Sequence, residues 1–113
     1  MREPREKIIL LHIQEDIHDI LLFTHDLDFI KFKGDNLVKK AVSMSLLNIG
    51  ELAKELPAQI TSRYPAVPWK NIIGLRNRTA HGYHSLDAAI IWEIALHDIP
   101  ILGQVVDDAL LQL

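Results

Sequence analysis

The chain contains no cysteine, which excludes disulfide staples and thiolate chemistry. Glycine and proline number only five each in 113 residues, leaving little room for disorder. No apolar run approaches the roughly 20 residues that a membrane span needs. The first residues, Met1 to Glu6, lack the apolar core of a secretory signal. There is no HExxH zinc pattern and no glycine-rich phosphate loop, so neither metalloprotease chemistry nor ATP binding by this chain alone finds support. The expectation is one soluble, cytoplasmic domain spanning residues 1–113, without membrane association or cofactor. A net charge of −3 argues against broad coating of nucleic acid but leaves room for a local basic site.

One further absence is local. From Leu56 to Leu86 there is no Asp or Glu, although the chain has 15 acids. Four of the 12 basic residues fall in that segment: Arg63, Lys70, Arg76 and Arg78. At its centre lies Gly74-Leu75-Arg76-Asn77-Arg78-Thr79-Ala80-His81-Gly82-Tyr83. A positive island around one histidine, in an otherwise acidic chain, suggests an anionic ligand.

The periodicity is helical throughout. Ile9, Ile13, Ile17 and Ile20 make an apolar stripe over about 6–23, with Glu15, Asp16 and Asp19 facing elsewhere. Residues 29–36 read as a break. A second helix is expected over 36–56, with Pro57 ending it or starting a short turn. Pro65 and Pro68 stand too close together for a helix to pass through, and Pro68 suits the first turn of a third helix reaching about Ala80, with Gly82 as a left-handed terminator. Ser85 can cap a last helix from near Leu86, and Pro100 predicts a kink or break before Ile101 to Leu111. No segment alternates with period two long enough for a strand. The expected fold is all-α, an up-and-down bundle of four main helices plus short pieces. The pairs Leu46-Leu47 and Ile90-Ile91, and the run from Ile8 to Leu11, exceed one buried stripe, which fits either a homodimer interface or ordinary exposed apolar surface.

On a helical wheel Asn77 and His81 are neighbours four residues apart, while Arg76 and His81 lie about 140° apart. Arginine is long enough to swing toward the helix end. A neutral histidine, with an ordinary pKa of about 6.5, can take a proton from a ribose 2′-hydroxyl. A guanidinium can grip two phosphate oxygens and stabilise the charge that develops. RNA carries its own nucleophile, so this cleavage requires no metal and leaves a 2′,3′-cyclic phosphate and a 5′-hydroxyl. The plain alternative is a structural or solvated histidine. Lys70 and Arg78 read equally as phosphate contacts or solvated charges. Around His12 and His18, the one histidine–carboxylate pair at i,i+4 is His12–Asp16, too few donors for a metal site.

The Arg76, His81, Tyr83 pattern matches Arg-x4-His-x-Tyr, with Asn77 in the polar slot after the arginine, and so resembles the HepT-like branch of the HEPN superfamily. Asn48 to Lys54, Tyr64-Pro65, Pro68 to Lys70, Ile72 to Leu75, Leu86-Asp87 and Ile91-Trp92 extend the resemblance over roughly residues 5–112. The resemblance implies an all-helical, usually dimeric ribonuclease toxin of a type II-like toxin–antitoxin pair. Arg76 and His81 would be catalytic, with Asn77, Arg78 and Lys70 on the RNA. It also implies a nucleotidyltransferase antitoxin of the MntA type, which transfers AMP from ATP onto Tyr83 and silences the toxin. Two other readings stand beside it: a non-catalytic helical partner of that nucleotidyltransferase, and a structural dimer whose basic island binds another anion.

Overall fold

The computed structural model of the chain describes residues 4–79 and 87–113; for 76–79 the backbone is described without the side chains. Helix α1 (Arg5–Thr24) buries Ile9, Leu10, Ile13, Ile17 and Ile20, the stripe that its sequence displays. It ends where Asp26 takes a left-handed backbone conformation (φ 63°), which a short polar side chain tolerates better than most. The expected break at 29–36 is instead a short helix, α2 (Phe29–Gly34), followed directly by α3 (Asn36–Lys54). Two aspartates make this possible. Asp28 accepts from the Lys31 N–H at 2.8 Å, and Asp35 accepts from the Val38 N–H at 3.1 Å, each satisfying a donor that a helix start leaves unpaired. Packing completes the turn, because Phe32 is fully buried with its ring 5.0 Å from that of Trp92.

Pro57 both closes off α3 and precedes one turn of helix, α4 (Ala58–Thr61). The chain then crosses Pro65 and Pro68 to α5 (Trp69–Thr79), and the Pro68 carbonyl accepts the Asn71 and Ile72 N–H groups. Two side-chain bonds, one local and one long-range, pin this crossing. The Trp69 Nε1–H donates to the Tyr64 carbonyl at 3.1 Å, and the Tyr64 hydroxyl donates to Asp108 at 2.7 Å. The expected end of this helix at Ala80, its Gly82 terminator and the Ser85 cap before Leu86 lie outside the described residues. The last helix is described from α6 (Ala88–Glu93), where Asp87 supplies the cap by accepting the Ala89 N–H at 2.8 Å.

At Pro100 there is neither break nor interruption. One π-helical turn, Ile94–Asp98, carries α6 into α7 (Ile99–Gln112), and the Ile99 N–H reaches back five residues to the Ile94 carbonyl. An α-helical path would drive the proline ring into the Leu96 carbonyl and leave that carbonyl without its donor. The wider turn accommodates the ring. By length and composition the helix over Ala88–Gln112 is apolar enough to cross a membrane, but Ile91, Ile94, Ile99, Leu102 and Val106 from it belong to the core.

The four long elements, α1, α3, α5 and α6–α7, form the bundle. Helix α1 packs along α3 and α7, α3 carries α5, and α2 bridges α3 to α6. No strand occurs among the described residues. The apolar surplus divides: Leu46 and Ile91 are buried, whereas Ile8, Leu11 and Ile90 stay about 40% exposed. The tightest point is the crossing of α3 and α5, where a Cβ on Gly50 would lie 2.7 Å from the Ile72 carbonyl oxygen. Gly74, mid-way along α5, differs completely, since a Cβ there meets nothing within 4 Å among the described residues. Gly50→Ala is therefore expected to destabilise the fold by about 1–3 kcal/mol through overpacking. Gly74→Ala is expected to stabilise it by about 0.5–1 kcal/mol through helix propensity. Urea denaturation of the two variants checks this opposition of sign.

Candidate functional site

The basic segment is built on α5. Its first turn presents Lys70, exposed, and Asn71, also exposed, just after the Pro68 entry. Its last turn holds the backbone of Arg76, Asn77 and Arg78. By register, positions 70, 74 and 78 follow one another on one face, position 77 lies beside them, and position 76 lies on the opposite side. His81 and Tyr83 are outside the described residues, as is the extra histidine, His84. The structure thus places the backbone of the motif arginine in the last described turn of a helix that is packed against α3.

Beside that helix runs a cleft of about 420 Å³. One wall is α5, with Lys70, Asn71, Gly74 and Leu75; the other is α6 and the π-turn, with Ile90, Glu93, Ile94 and Asp98. The acid-free segment is therefore met across space by two carboxylates. Periodicity gives no sign of this, because the acids come from a distant helix. The signal that was present is Gly74 itself, a glycine in the middle of a helical pattern, which calls for a reason. Lys70 and Asn71 also line a second depression, of about 440 Å³, with Thr61, Ser62 and Trp69.

The two acids of the wall differ. Glu93 pairs with His97 one turn away at 3.2 Å, and both side chains remain largely exposed. Asp98 is partly buried, and burial lifts its carboxyl above the ordinary aspartate value, with His97 opposing and Glu93 adding to the shift. A raised folded-state pKa means that ionised Asp98 costs stability at neutral pH, and the cost fades as pH falls through the folded value to the ordinary 3.8.

The other polar cluster lies elsewhere, between α1 and α3. Asp16 accepts a hydrogen bond from Asn48, yet burial still raises its pKa, helped by Asp19 and Glu15. His12 turns to Glu15 at 4.0 Å rather than pairing with Asp16. Asn48 and Glu51 line the shallow groove there with His12 and Asp16. Among the described residues no three histidine or acidic side chains are grouped to hold a metal ion.

Asp98→Asn is expected to raise the melting temperature at pH 7 while keeping the fold, and the gain should shrink to nothing below the ordinary aspartate pKa of about 4. Thermal melts by circular dichroism from pH 3 to 8 check both the sign and the window.

Comparison with known proteins agrees with this architecture. The family model described as ribonuclease HepT-like matches residues 13–109. A Methanocaldococcus jannaschii protein named "Putative RNase" is 39% identical over 94 residues, covering 83% of this chain and 78% of its own length. A second protein so named, from Caldanaerobacter subterraneus subsp. tengcongensis, is 34% identical over 97% of this chain and 96% of its own. A Thermococcus cleftensis protein named "Probable ribonuclease HepT" is 32% identical over 85% of this chain and 87% of its own. No solved structure matches the chain. With an all-helical bundle in place and a family match that spans most of it, the chain belongs to the ribonuclease HepT-like family.

Proposed function

We propose that this chain is an endoribonuclease that cuts RNA without a metal ion, with His81 as the base and Arg76 as the phosphate clamp. The observation that carries the reading is the family match over residues 13–109, which includes the whole Arg76, His81, Tyr83 motif, in a segment free of acids. His81 takes the proton of a ribose 2′-hydroxyl, the 2′ oxygen attacks the adjacent phosphorus, and the bond to the 5′ oxygen breaks. A proton returns to that oxygen, leaving a cyclic phosphate and a 5′-hydroxyl. Arg76 stays charged throughout and holds two oxygens of the phosphate as negative charge builds. Asn77 orients the imidazole from one turn away, and Arg78 and Lys70 hold flanking phosphates along the helix.

The same reading includes its control. A nucleotidyltransferase antitoxin of the MntA type transfers AMP from ATP to the Tyr83 hydroxyl with release of pyrophosphate, putting a phosphodiester and a nucleoside two residues from the base. That negative charge and bulk compete directly with the RNA phosphate. In a homodimer, apolar surface such as that of Ile8 and Leu11 is covered, and two copies of the motif share one cleft.

Purified protein with unmodified Tyr83, incubated with tRNA and total RNA in the presence of a chelator, is expected to yield cyclic-phosphate ends. His81→Ala should slow cleavage by about 10²–10⁴-fold and Arg76→Ala by about 10²–10³-fold. Tyr83→Phe should keep cleavage and escape silencing by the antitoxin. Intact RNA from unmodified wild-type protein would instead assign the chain as a non-catalytic partner of the nucleotidyltransferase.

A further inference from the structure

The cleft between α5 and the π-turn has features that phosphate binding does not explain. Its α5 wall carries Lys70 and no acid, whereas the facing wall carries Glu93 and Asp98. A phosphate is drawn to the first wall and repelled by the second. A neutral group that offers hydrogen-bond donors suits the second wall and would be wasted on the first. Between them Ile90, about 40% exposed, offers apolar surface of the kind that receives a flat ring, above the buried Leu75 and Ile94.

Gly74 is the second observation. Mid-helix glycine lowers helix stability, and here packing gives no reason for it, since a side chain would meet nothing within 4 Å among the described residues. Gly50 has such a reason at 2.7 Å; Gly74 has none among the described residues. What the missing side chain does is keep the floor of the cleft open. The third observation is register. Position 78 follows Gly74 on the same face, roughly 6 Å further along the axis, whereas position 76 lies on the opposite side. The cleft face thus lies between the positions of Lys70 and Arg78, the flanking phosphate contacts of the ribonuclease reading.

Resting on the ribonuclease reading of this site, we propose that the cleft receives one base of the RNA and selects bases with an exocyclic amine over uracil. The amine of cytosine or adenine donates to the Asp98 carboxylate, as acidic side chains accept from cytosine in nucleic-acid recognition. The Asn71 side-chain amide donates to the neighbouring ring nitrogen. Uracil would turn a carbonyl oxygen toward the same carboxylate, acceptor against acceptor. Glu93 is paired with His97, whereas Asp98 makes no hydrogen bond or ion pair among the described residues, so its oxygens are the ones open to a base. Lys70, at the rim, keeps the backbone phosphate on the α5 side.

The test separates base selection from cleavage. Short labelled oligodeoxycytidylate, oligodeoxyadenylate and oligodeoxyuridylate have no 2′-hydroxyl, so wild-type protein can bind but not cut them. Fluorescence anisotropy should show the first two binding about tenfold tighter than the third, the discrimination expected for a well-placed pair of base contacts. Gly74→Leu, which fills the cleft, should abolish the difference. Asp98→Asn should narrow or reverse it, because the new amide can donate to the uracil carbonyl. Melting curves for both variants confirm that the fold is retained. Equal or absent binding of the three oligonucleotides by wild-type protein, or a preference untouched by both substitutions, overturns the inference. Mapping cyclic-phosphate ends on mixed-sequence RNA gives the second arm: cuts should cluster beside amino-bearing bases in wild type and lose that bias in Asp98→Asn. Selective binding without any cleavage would refute the ribonuclease reading while leaving the base cleft in place. Cleavage without base bias, unchanged in both variants, would do the reverse.

Discussion

The bundle depends on how closely α3 and α5 approach at Gly50. Backbone there lies against backbone, with the Ile72 carbonyl where a side chain would begin. Contact of this kind fixes the height and rotation of α5 more tightly than interdigitated side chains, because backbone cannot change rotamer. Everything functional on α5 inherits that placement. Ile72 and Leu75 are held inside, and so the face carrying Lys70, Asn71 and Gly74 is set outward against α6 and the π-turn. The Tyr64 to Asp108 and Trp69 to Tyr64 bonds act at the entry of the same helix and stop it from pivoting about the crossing.

Much of the fold was legible in the sequence because buried stripes repeat at helical spacing. Ile9, Ile13, Ile17 and Ile20 predict α1, and all four are buried. Pro57 and Pro68 mark real boundaries for the same steric reasons that suggest them. The break expected at 29–36 failed because six residues are too few for periodicity to register. There the decisive terms are two aspartate caps and one aromatic contact between Phe32 and Trp92, a partner 60 positions away. At Pro100 the steric argument was sound, and the chain met it by widening a turn rather than breaking.

The site divides in the same way. That α5 carries a positive, acid-free segment is a property of contiguous residues and is visible as such. That Glu93 and Asp98 stand opposite it is a property of bundle geometry, invisible until α6 is placed. The consequence is a change of meaning: the island is one half of a polarised cleft, positive toward α5 and negative toward α6. A polynucleotide, which has a charged backbone and neutral donor-rich edges, has the same polarity across its width.

The π-turn at Ile94–Asp98 amounts to one surplus residue held inside an otherwise continuous helix. Such a residue works as a phase shifter. The segment before it is indexed to the cleft through Ile90 and Glu93, and the segment after it is indexed to α1 through Leu102 and Val106 and to Gln14 through Asp107. Removing one residue there would rotate one half against the other by about 100° while leaving the composition almost unchanged. The helix therefore tolerates substitution more readily than a change of length. In comparing family members, the spacing between these two segments is a better index of a preserved cleft than the identity of any residue within them.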